Sequence, residues 1–418
     1  IDRAEDRKMF QQMLHKLGLS QPPNDTATNA DEAFAAAARI GYPVLVRPSY
    51  VLGGRAMQIV YSEDELRTYM AEAVQVSSDR PVLIDKFIED AVEVDVDCIA
   101  DGETAVIGGI MEHIEHAGVH SGDSACVIPP HTLSPHLLDE IRRATYAMAK
   151  ELNVRGLMNV QLAIRGDHVY VLEVNPRASR TVPFVSKAIG VPLAKLAARV
   201  MAGKTLQELG FTSEPTIDYF CVKEAVLPFA RFQGTDIELG PEMRSTGEVM
   251  GIDTDFGIAF AKTQFGAGIN LPFSGKIFLS VRDADKRYAI SLAKRLVAAG
   301  LQIVSTEGTA RALRNAGVPV QPIHKLAEGR PNVLDLITNG EIKLIINTVS
   351  GHKARADEAR IRATAVAHNV PCITTIAGAE AAITGIESIR ARGGVDVRAL
   401  QDYHRQTRTP ALAADSNS

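Results

Sequence analysis

One stretch of the chain, residues 169–180 (VYVLEVNPRASR), restricts what the chain can fold into more than any other. Its first half is rich in β-branched residues, which predicts a strand, and its proline ends that strand because proline donates no ladder hydrogen bond. Side chains alternate along a strand, so Glu173 and Asn175 share one face. Their oxygens suit Mg²⁺, and the forked side chains of Arg177 and Arg180 could grip an anion beside it.

The preceding segment, residues 157–164, has the pattern of a partner strand. If residues 166–168 form a three-residue hairpin loop, Gln161 lies directly opposite Glu173. Three oxygen ligands, from Gln161, Glu173 and Asn175, would then share one patch. An ordinary polar strand face that ends in a loop accounts for the pattern equally well, because E-x-N is short and common.

The totals describe an ordinary soluble protein of two or three domains. Its 418 residues are 46% apolar and 23% charged, with a net charge of -5, so no basic excess points to nucleic acid. The four cysteines lack CxxC spacing, which argues against a structural zinc site and fits a reducing cytoplasm. No apolar run reaches membrane length. The chain begins at Ile1 without an initiator methionine, so we expect a fragment.

A glycine-bearing loop at residues 49–57 follows a short strand that ends in Arg47. Gly53 and Gly54 would let backbone N–H groups approach phosphate oxygens without a Cβ in the way. The Walker pattern G-x-x-x-x-G-K-[ST] is absent from the sequence, and a simple hairpin turn is the alternative.

The strand predicted at residues 91–100 alternates valines with three acids, Glu93, Asp95 and Asp97. We expect this acidic face to be mostly solvated, although Glu93 could instead accept hydrogen bonds from a ribose. Residues 108–128 are rich in histidine and acid, but their spacing fits no helical zinc motif. We interpret them as a loop that lines a ligand, with His120 and its neighbours as phosphate or ribose contacts. These elements favour an α+β nucleotide-binding domain.

From Ser274 onward, predicted strands and helices alternate with short turns, which is typical of an open parallel sheet. Ser280, Thr306, Thr309 and Asn347 all follow predicted strands, at the edge where such sheets bind ligands. Residues 306–309 open a helix whose N–H groups could hold a phosphate, although routine N-capping explains any single position. We expect the small polar tail, residues 407–418, to be disordered.

The motif Glu173-Val174-Asn175-Pro176-Arg177, with Gln161 and Arg47 upstream, resembles the ATP-grasp superfamily. The longer run at residues 175–187 (NPRASRTVPFVSK) resembles the large subunit of carbamoyl phosphate synthetases, and its R-T-V-P-F form resembles the carboxy-terminal synthetase half. In that family, this half phosphorylates carbamate with ATP, while the amino-terminal half makes carboxyphosphate from bicarbonate. The resemblance covers nearly the whole chain.

The resemblance implies a role for each matching residue. Gln161, Glu173 and Asn175 match ligands of Mg²⁺ or Mn²⁺, with K⁺ as a further cation of the family. Arg177 and Arg180 fall where carbamate and the transferring phosphoryl group are held. The positions that match ATP contacts are Arg7, Arg47, Gly53, Gly54, Lys86, Ile88, Glu93, Gly118, Val119, His120, Ser121, Gln161 and Glu173.

The last third of the chain resembles the methylglyoxal-synthase-like regulatory domain of the same family, which binds nucleotide monophosphate effectors in bacterial members. Val349 stands where a threonine is common. Cys372 and Ile373 replace a more polar pair near an ornithine site, which Glu115, Asp123, Glu224 and Thr374 still match. The matching effector positions are Ser280, Lys286, Thr306, Thr309, Lys325 and Asn347.

The implied organisation is an ATP-grasp domain (1–205), its completion (206–270), a regulatory domain (271–405) and a tail (406–418). The implied partners are a glutaminase small subunit and the amino-terminal synthetase half, in an oligomeric enzyme that serves pyrimidine and arginine synthesis. This chain alone should therefore not make carbamoyl phosphate from glutamine. Two alternatives are a biotin carboxylase, which the regulatory domain disfavours, and a purely regulatory module with a vestigial ATP site.

Overall fold

The computed structural model describes residues 1–48, 57–73, 81–231, 237–348 and 355–405. The chain divides into two compact units. The first contains residues 1–218, 240–243 and the chain from 398 onward, and the second contains residues 219–239 and 244–397. In the described ranges, no helix is both long and apolar enough to cross a membrane.

The first unit contains a small antiparallel sheet whose strands lie in the order β1-β4-β2-β3. The buried alanines of helix α3 pack on this sheet, in one apolar cluster with buried strand residues such as Val44 and Val46. The elements of this part are α1 (Asp2–Glu5), α2 (Arg7–Leu17), β1 (Asn24–Ala27), α3 (Ala30–Ile40), β2 (Val44–Pro48), β3 (Gln58–Val60), α4 (Glu63–Ala73) and β4 (Val82–Lys86).

The first unit also contains a longer antiparallel sheet with the strand order β7-β6-β5-β8-β9. One face packs on α2 and α5, and α5 begins at Ser134, whose side chain accepts a hydrogen bond from the N–H of Leu137. The spacing of Leu137, Ile141, Ala144 and Met148 predicts an apolar stripe on this helix, and the structure confirms that the stripe faces the core. The elements are β5 (Val92–Asp101), β6 (Ala105–His113), β7 (Cys126–Ile128), α5 (Pro135–Glu151), β8 (Arg155–Arg165) and β9 (His168–Asn175).

Two sequence-based expectations for this unit are wrong. Residues 108–128 are not one ligand-lining loop, because β6 extends to His113 and places that side chain in the sheet. The sequence from Pro183 to Met201 also predicts one continuous helix, but the structure has two, α6 (Val182–Ile189) and α7 (Leu193–Met201). Gly190 has a φ of 71°, and a proline two residues later cannot continue the first helix.

The second unit contains an antiparallel strand pair and a five-stranded parallel sheet in the order β14-β13-β12-β15-β16. The predicted open parallel sheet is confirmed. The elements are β10 (Phe220–Val226), β11 (Gly247–Asp253), α8 (Phe256–Gly266), β12 (Lys276–Ser280), α9 (Lys286–Ala298), β13 (Gln302–Thr306), α10 (Glu307–Asn315), β14 (Gln321–Ile323), α11 (Val333–Thr338), β15 (Ile342–Asn347), α12 (Arg355–Ala367), β16 (Cys372–Ile373) and α13 (Ile376–Arg392).

Helices α8 and α13 approach closely at Gly257 of α8 and Gly385 of α13. A Cβ on Gly257 would lie 2.5 Å from Ser388 Oγ and 2.7 Å from the carbonyl oxygen of Thr384. Asp253, the last residue of β11, accepts hydrogen bonds from Arg392 of α13 at 2.8 and 2.9 Å and from Lys262 of α8 at 2.9 Å. Close backbone packing and the shared carboxylate of Asp253 therefore join these helices.

The last helix, α14 (Leu400–His404), belongs to the first unit. Its Tyr403 is buried, and His404 Nε2 lies 2.6 Å from the carbonyl oxygen of Lys187, in the last turn of α6. The chain thus returns to the first unit after completing the second.

Candidate functional site

The hairpin of β8 and β9 places Gln161 directly opposite Glu173 and Asn159 opposite Asn175. The predicted pairing of Gln161 with Glu173 is confirmed, but the loop that was expected to produce it is wrong. Arg165 pairs with His168, which leaves two loop residues rather than three. Gly166 takes a φ of 60°, as two-residue hairpin loops require.

A β-bulge at Leu172 restores the register that the short loop would otherwise shift. Leu162 pairs with Val171 and Gln161 pairs with Glu173, so Leu172 is the extra residue. Val171 and Val174 both face the core although they are three residues apart, which a regular strand does not allow. Because the bulge turns Val174 inward, Glu173 and Asn175 face away from the core.

The three candidate metal ligands are close neighbours on this outer face. Asn175 Nδ2 donates to Glu173 Oε1 at 2.8 Å, and Gln161 Nε2 donates to Ser121 Oγ at 3.5 Å. Arg177 Nη2 donates to Asn175 Oδ1 at 3.0 Å. Amide and carboxylate oxygens are ligands that fit Mg²⁺. No group of three or more His, Cys, Asp or Glu side chains suited to a metal occurs among the residues that the structure describes.

The acidic face of β5 is buried, so the expectation of a solvated face is wrong. Asp95 and Asp97 are each 1% exposed, because β5 pairs on both sides and its acids lie beside Gln161 and Asn159 of β8. Glu93 Oε1 accepts a hydrogen bond from the N–H of Gly118 at 2.9 Å, and burial raises the pKa of Glu93.

Two histidines border this face. His113 Nε2 lies 2.8 Å from Asp95 Oδ2. Burial lowers the pKa of His113, but Cys126 and Asp95 outweigh it and raise that pKa well above the usual value. His120 Nδ1 accepts from the N–H of Gly122 at 3.0 Å, and burial lowers the pKa of His120.

His120 and Arg180 both lie beside Met243, because a Cβ on Gly122 would be 3.1 Å from His120 Nδ1 and 3.2 Å from the Met243 sulfur that Arg180 contacts. Val119 is buried beside them. Gly118 has a φ of 92°, and a Cβ there would lie 2.8 Å from the ring of Phe87, so only glycine fits without movement.

Arg7 and Arg47 meet at the carboxylate of Asp85. One oxygen of Asp85 pairs with Arg7, and the other lies 3.7 Å from Arg47 Nε. Burial and the charge of Arg47 lower the pKa of Arg7 to about 10. Arg47 Nε is buried without a hydrogen-bond partner among the described residues. Two adjacent guanidinium groups beside one carboxylate favour an incoming anion.

A small apolar cluster, separate from the main core, contains Ile88 and Leu172 together with Phe87, Ala91, Ala117 and Ala163. It offers an apolar surface of the kind on which a flat base packs. The ammonium of Lys86 lies elsewhere, because it donates to the carbonyl oxygens of Gly41 and Tyr42 at 2.9 and 2.8 Å. Gly53 and Gly54 lie outside the described residues.

Arg177 and Arg180 are both exposed after the strand ends. The N–H of Arg177 donates to the carbonyl oxygen of Asn175 at 2.8 Å, which makes a tight turn, and Arg180 contacts the sulfur of Met243. Sequence reasoning missed side chains that partner this site, although Ser179 and Thr181 lie within the run at residues 175–187 and Asn159 lies two residues before Gln161 on the same strand face. The missed residues are Asp85, His113, Asn159, Ser179 and Thr181.

A second group of predicted residues converges in the second unit. Ser280, Thr306 and Asn347 are the last residues of the adjacent parallel strands β12, β13 and β15. Ser280 Oγ lies 3.0 Å from Thr306 Oγ1, and Asn347 Nδ2 donates to the carbonyl oxygen of Ser280 at 3.0 Å. Asn347 Oδ1 is buried without a hydrogen-bond partner among the described residues. This edge therefore offers hydroxyl and amide groups to a ligand.

Thr309 lies in the first turn of α10 rather than directly after a strand, and its Oγ1 accepts from the N–H of Val281 at 3.3 Å. Lys286 Nζ pairs with Asp283 at 2.6 Å and lies 3.7 Å from the place of a Cβ on Gly308. The ammonium thus stands at the N-terminus of α10, where backbone N–H groups also favour an anion. The N–H of Lys325 donates to Glu328 at 3.1 Å. Val349 lies outside the described residues.

Comparison with known proteins identifies two families along the chain. Residues 6–209 match the family described as "Carbamoyl-phosphate synthase L chain, ATP binding domain", and residues 288–374 match the family described as "MGS-like domain". The carbamoyl phosphate synthase large chain of Pseudomonas aeruginosa is 58% identical over 404 residues, which are 97% of this chain and 37% of that protein. The large chain of Nostoc sp. is 56% identical over 409 residues, 96% of this chain and 37% of that protein. The chain thus spans little more than a third of the length of these relatives.

Among solved structures, the biotin carboxylase domain of the Hydrogenobacter thermophilus 2-oxoglutarate carboxylase matches with a TM-score of 0.52. The two sequences are 17% identical, and the match covers 63% of this chain and 65% of the carboxylase chain. This likeness shows a shared ATP-grasp fold and does not bear on substrate or activity. The predicted fold class and the predicted resemblance are both confirmed. With an ATP-binding domain followed by an MGS-like domain, this chain belongs to the family of carbamoyl phosphate synthase large chains.

Proposed function

We propose that the first unit binds Mg-ATP and transfers its γ-phosphoryl group to carbamate, which yields carbamoyl phosphate, as in the carboxy-terminal synthetase half of the family. One observation carries the proposal: the bulged hairpin holds Gln161, Glu173 and Asn175 on one polar face, with Arg177 hydrogen-bonded to Asn175. The related carboxylase domain was solved with MgADP and bicarbonate, which supports a nucleotide site on this fold.

The nucleotide would lie along the polar face of the longer sheet, which carries Glu93, Gln161 and Glu173. Ile88 and Leu172 would pack on the base, and Glu93 would accept hydrogen bonds from the ribose. Arg7, Arg47 and the backbone of residues 118–121 would hold the phosphates, together with Gly53 and Gly54. Lys86 would contribute at the nucleotide site through its backbone, because its ammonium is engaged with two carbonyl oxygens.

Gln161, Glu173 and Asn175 would hold Mg²⁺ or Mn²⁺, which neutralises charge on the phosphate oxygens when bound. The transfer itself needs little covalent work from the protein. A carbamate oxygen forms a bond to the γ-phosphorus in line, and the bond from that phosphorus to the bridging oxygen breaks, so ADP leaves with the electron pair. Arg177 and Arg180 would neutralise the charge on carbamate and on the transferring group. Exclusion of water would protect carbamate, which is labile.

The second unit would bind a nucleotide monophosphate effector at the carboxyl edge of its parallel sheet. Its phosphate would lie at the N-terminus of α10 beside Lys286 and Lys325, and the terminal Ser280, Thr306 and Asn347 would contact the rest, with Thr309. Synthesis from glutamine would require a glutaminase subunit and the amino-terminal synthetase half, in a cytoplasmic, oligomeric enzyme of pyrimidine and arginine synthesis. K⁺ would be a further cation of the Mg-ATP site in the first unit. The synthetase domain would comprise residues 1–270 and the regulatory domain residues 271–405.

Reversal of the proposed step provides the test, because it needs only this synthetase half. The chain is incubated with MgADP and carbamoyl phosphate, and ATP is measured. We expect ATP to form with the wild type, and Glu173→Ala to lower the rate by at least about 100-fold. Glu151→Gln serves as the control, because Glu151 pairs with Arg3 and Lys16 on the surface.

Three results would count against the proposal. Equal rates for the wild type and Glu173→Ala would remove the metal site from the reaction. ATP consumption that depends on biotin instead of carbamate would support a biotin carboxylase. Negligible heats of Mg-ATP binding in calorimetry, for both proteins, would support a purely regulatory module.

A further inference from the structure

Asp97 is a buried carboxylate that the proposed reaction leaves without a role. It lies in the middle of β5 and is 1% exposed. Its oxygens accept hydrogen bonds from Ser179 Oγ at 2.7 Å, Thr181 Oγ1 at 2.6 Å and Asn159 Nδ2 at 3.1 Å. Asp97 thus joins the centre of the sheet to the segment that follows β9.

Two of these partners flank Arg180 in the sequence. Ser179 precedes it and Thr181 follows it, so the residues on either side of Arg180 are bound to one carboxylate. Arg177 and Arg180 are themselves exposed. The hydroxyl groups beside Arg180 therefore fix the backbone that carries an otherwise exposed side chain.

Thr181 is also the N-cap residue of α6, yet its side chain makes no capping hydrogen bond. A threonine at this position commonly accepts from the free N–H groups of the first turn and so stabilises the helix. Here the hydroxyl donates to Asp97 instead. The start of α6 is therefore attached to β5 rather than capped.

The partners of Asp97 are neutral, and no ion pair to it occurs among the residues that the structure describes. Burial raises the pKa of Asp97 to about 6, although its hydroxyl donors oppose this shift. Asn159 also donates to Asp95 at 3.0 Å, and Asp95 in turn contacts His113. A buried carboxylate without a cation costs stability, and the hydroxyl groups of Ser179 and Thr181 partly offset this cost.

We propose that Asp97 is a positioning residue that holds the Arg177–Thr181 segment in the geometry needed to bind carbamate or carbamoyl phosphate. This inference rests on the proposed function. Asp97 touches neither substrate; it acts through the hydroxyl groups of Ser179 and Thr181. Its removal should therefore weaken the binding of carbamate or carbamoyl phosphate and leave the binding of the nucleotide unaffected.

The test uses Asp97→Asn in the formation of ATP from MgADP and carbamoyl phosphate. The amide has nearly the same shape, but its nitrogen cannot accept a hydrogen bond from a hydroxyl group. We expect the KM for carbamoyl phosphate to rise about tenfold or more and kcat to fall, while the KM for MgADP stays within about twofold. The control is Asp101→Asn in the same strand, which accepts from three backbone N–H groups away from the site and should leave both KM values unchanged.

A second pair of variants tests the same attachment from the other side. Thr181→Ser keeps the hydroxyl and should behave like the wild type, whereas Thr181→Val should reproduce the loss seen with Asp97→Asn. This pair decides the question if Asp97→Asn does not fold. Unchanged kinetics for Asp97→Asn and Thr181→Val, or equal increases in both KM values, would overturn the inference.

Limited trypsin digestion separates this inference from the proposed function, because it needs no activity. Release of the segment should speed cleavage after Arg177 and Arg180 about tenfold in Asp97→Asn, but not in Asp101→Asn. Faster cleavage of Asp97→Asn than of the wild type, together with no ATP formation by the wild type, would refute the proposed function and retain the attachment. Equal cleavage in all variants would refute the attachment.

Discussion

Arg47 Nε lies 3.7 Å from one oxygen of Asp85, whose other oxygen pairs with Arg7. Asp85 thus separates two guanidinium groups that would repel each other without it. The same two arginines are the proposed phosphate contacts, so the carboxylate would occupy the centre of the proposed anion site.

We expect Asp85→Asn to lower the free energy of unfolding by about 1–3 kcal/mol, because it leaves two partly buried cations without a counter-charge. An added polyanion should replace the lost charge, so tripolyphosphate should raise the melting temperature more in the variant than in the wild type. Asp25→Asn is the control, since Asp25 pairs with the exposed Arg39 and should cost less than about 1 kcal/mol. Equal stabilisation of both proteins by tripolyphosphate would contradict this account.

Deletion of Leu172 should preserve the fold and weaken nucleotide binding. Without the extra residue, β9 would be a regular strand in which Val171 and Val174 still face the core. Leu172 would be lost from the apolar cluster around Ile88, so calorimetry should show at least about fivefold weaker Mg-ATP binding. Deletion of Tyr170, in the regular part of the strand, should instead reverse the faces and prevent folding. Loss of the native circular dichroism spectrum in both deletions would refute the prediction.

Asp253 should make stability depend on pH in the acid range. Burial raises its pKa, but hydrogen bonds from Arg392 and Lys262 outweigh burial and lower it to about 2. A lowered pKa means that the folded state binds fewer protons than the unfolded state, so this stability is present above about pH 4 and is lost as the pH falls towards 2. We expect a contribution of about 2 kcal/mol. In urea unfolding, the difference between the wild type and Asp253→Asn should shrink from pH 5 to pH 2, and a constant difference would contradict it.

Gly257→Ala should lower the free energy of unfolding by about 1–3 kcal/mol, because the new methyl group would meet the Thr384 carbonyl oxygen at 2.7 Å and backbone cannot rotate away. Gly266→Ala in the same helix is the control. Its Cβ would approach only Val249, at 3.4 Å, so we expect no loss of stability. Urea midpoints measure both, and similar values for the two variants would argue against tight packing of α8 on α13.

The sequence predicted the polar face of the hairpin because alternation and chemical type are local properties. It did not predict how Gln161 and Glu173 come to pair. The loop is one residue shorter than expected, and the bulge at Leu172 compensates, which depends on the packing of Val171 and Val174 in a core formed by distant elements.

The sequence did not predict the burial of the acids on β5, for a similar reason. Alternation assigned Asp95 and Asp97 to one face, but only the neighbouring strand and the partners Asn159 and His113 make that face an interior one. Helix α13 was not predicted either. Its buried face consists largely of alanine and glycine, whose small side chains give only a weak apolar stripe in the sequence.

The return of α14 to the first unit has a practical consequence for anyone who wishes to separate the two units. Tyr403 is buried and His404 contacts the last turn of α6, yet both are encoded after the whole second unit. A stop codon placed before the parallel sheet of the second unit would therefore remove a buried tyrosine from the first unit as well. An internal excision that rejoins the chain ahead of residue 398 would spare it.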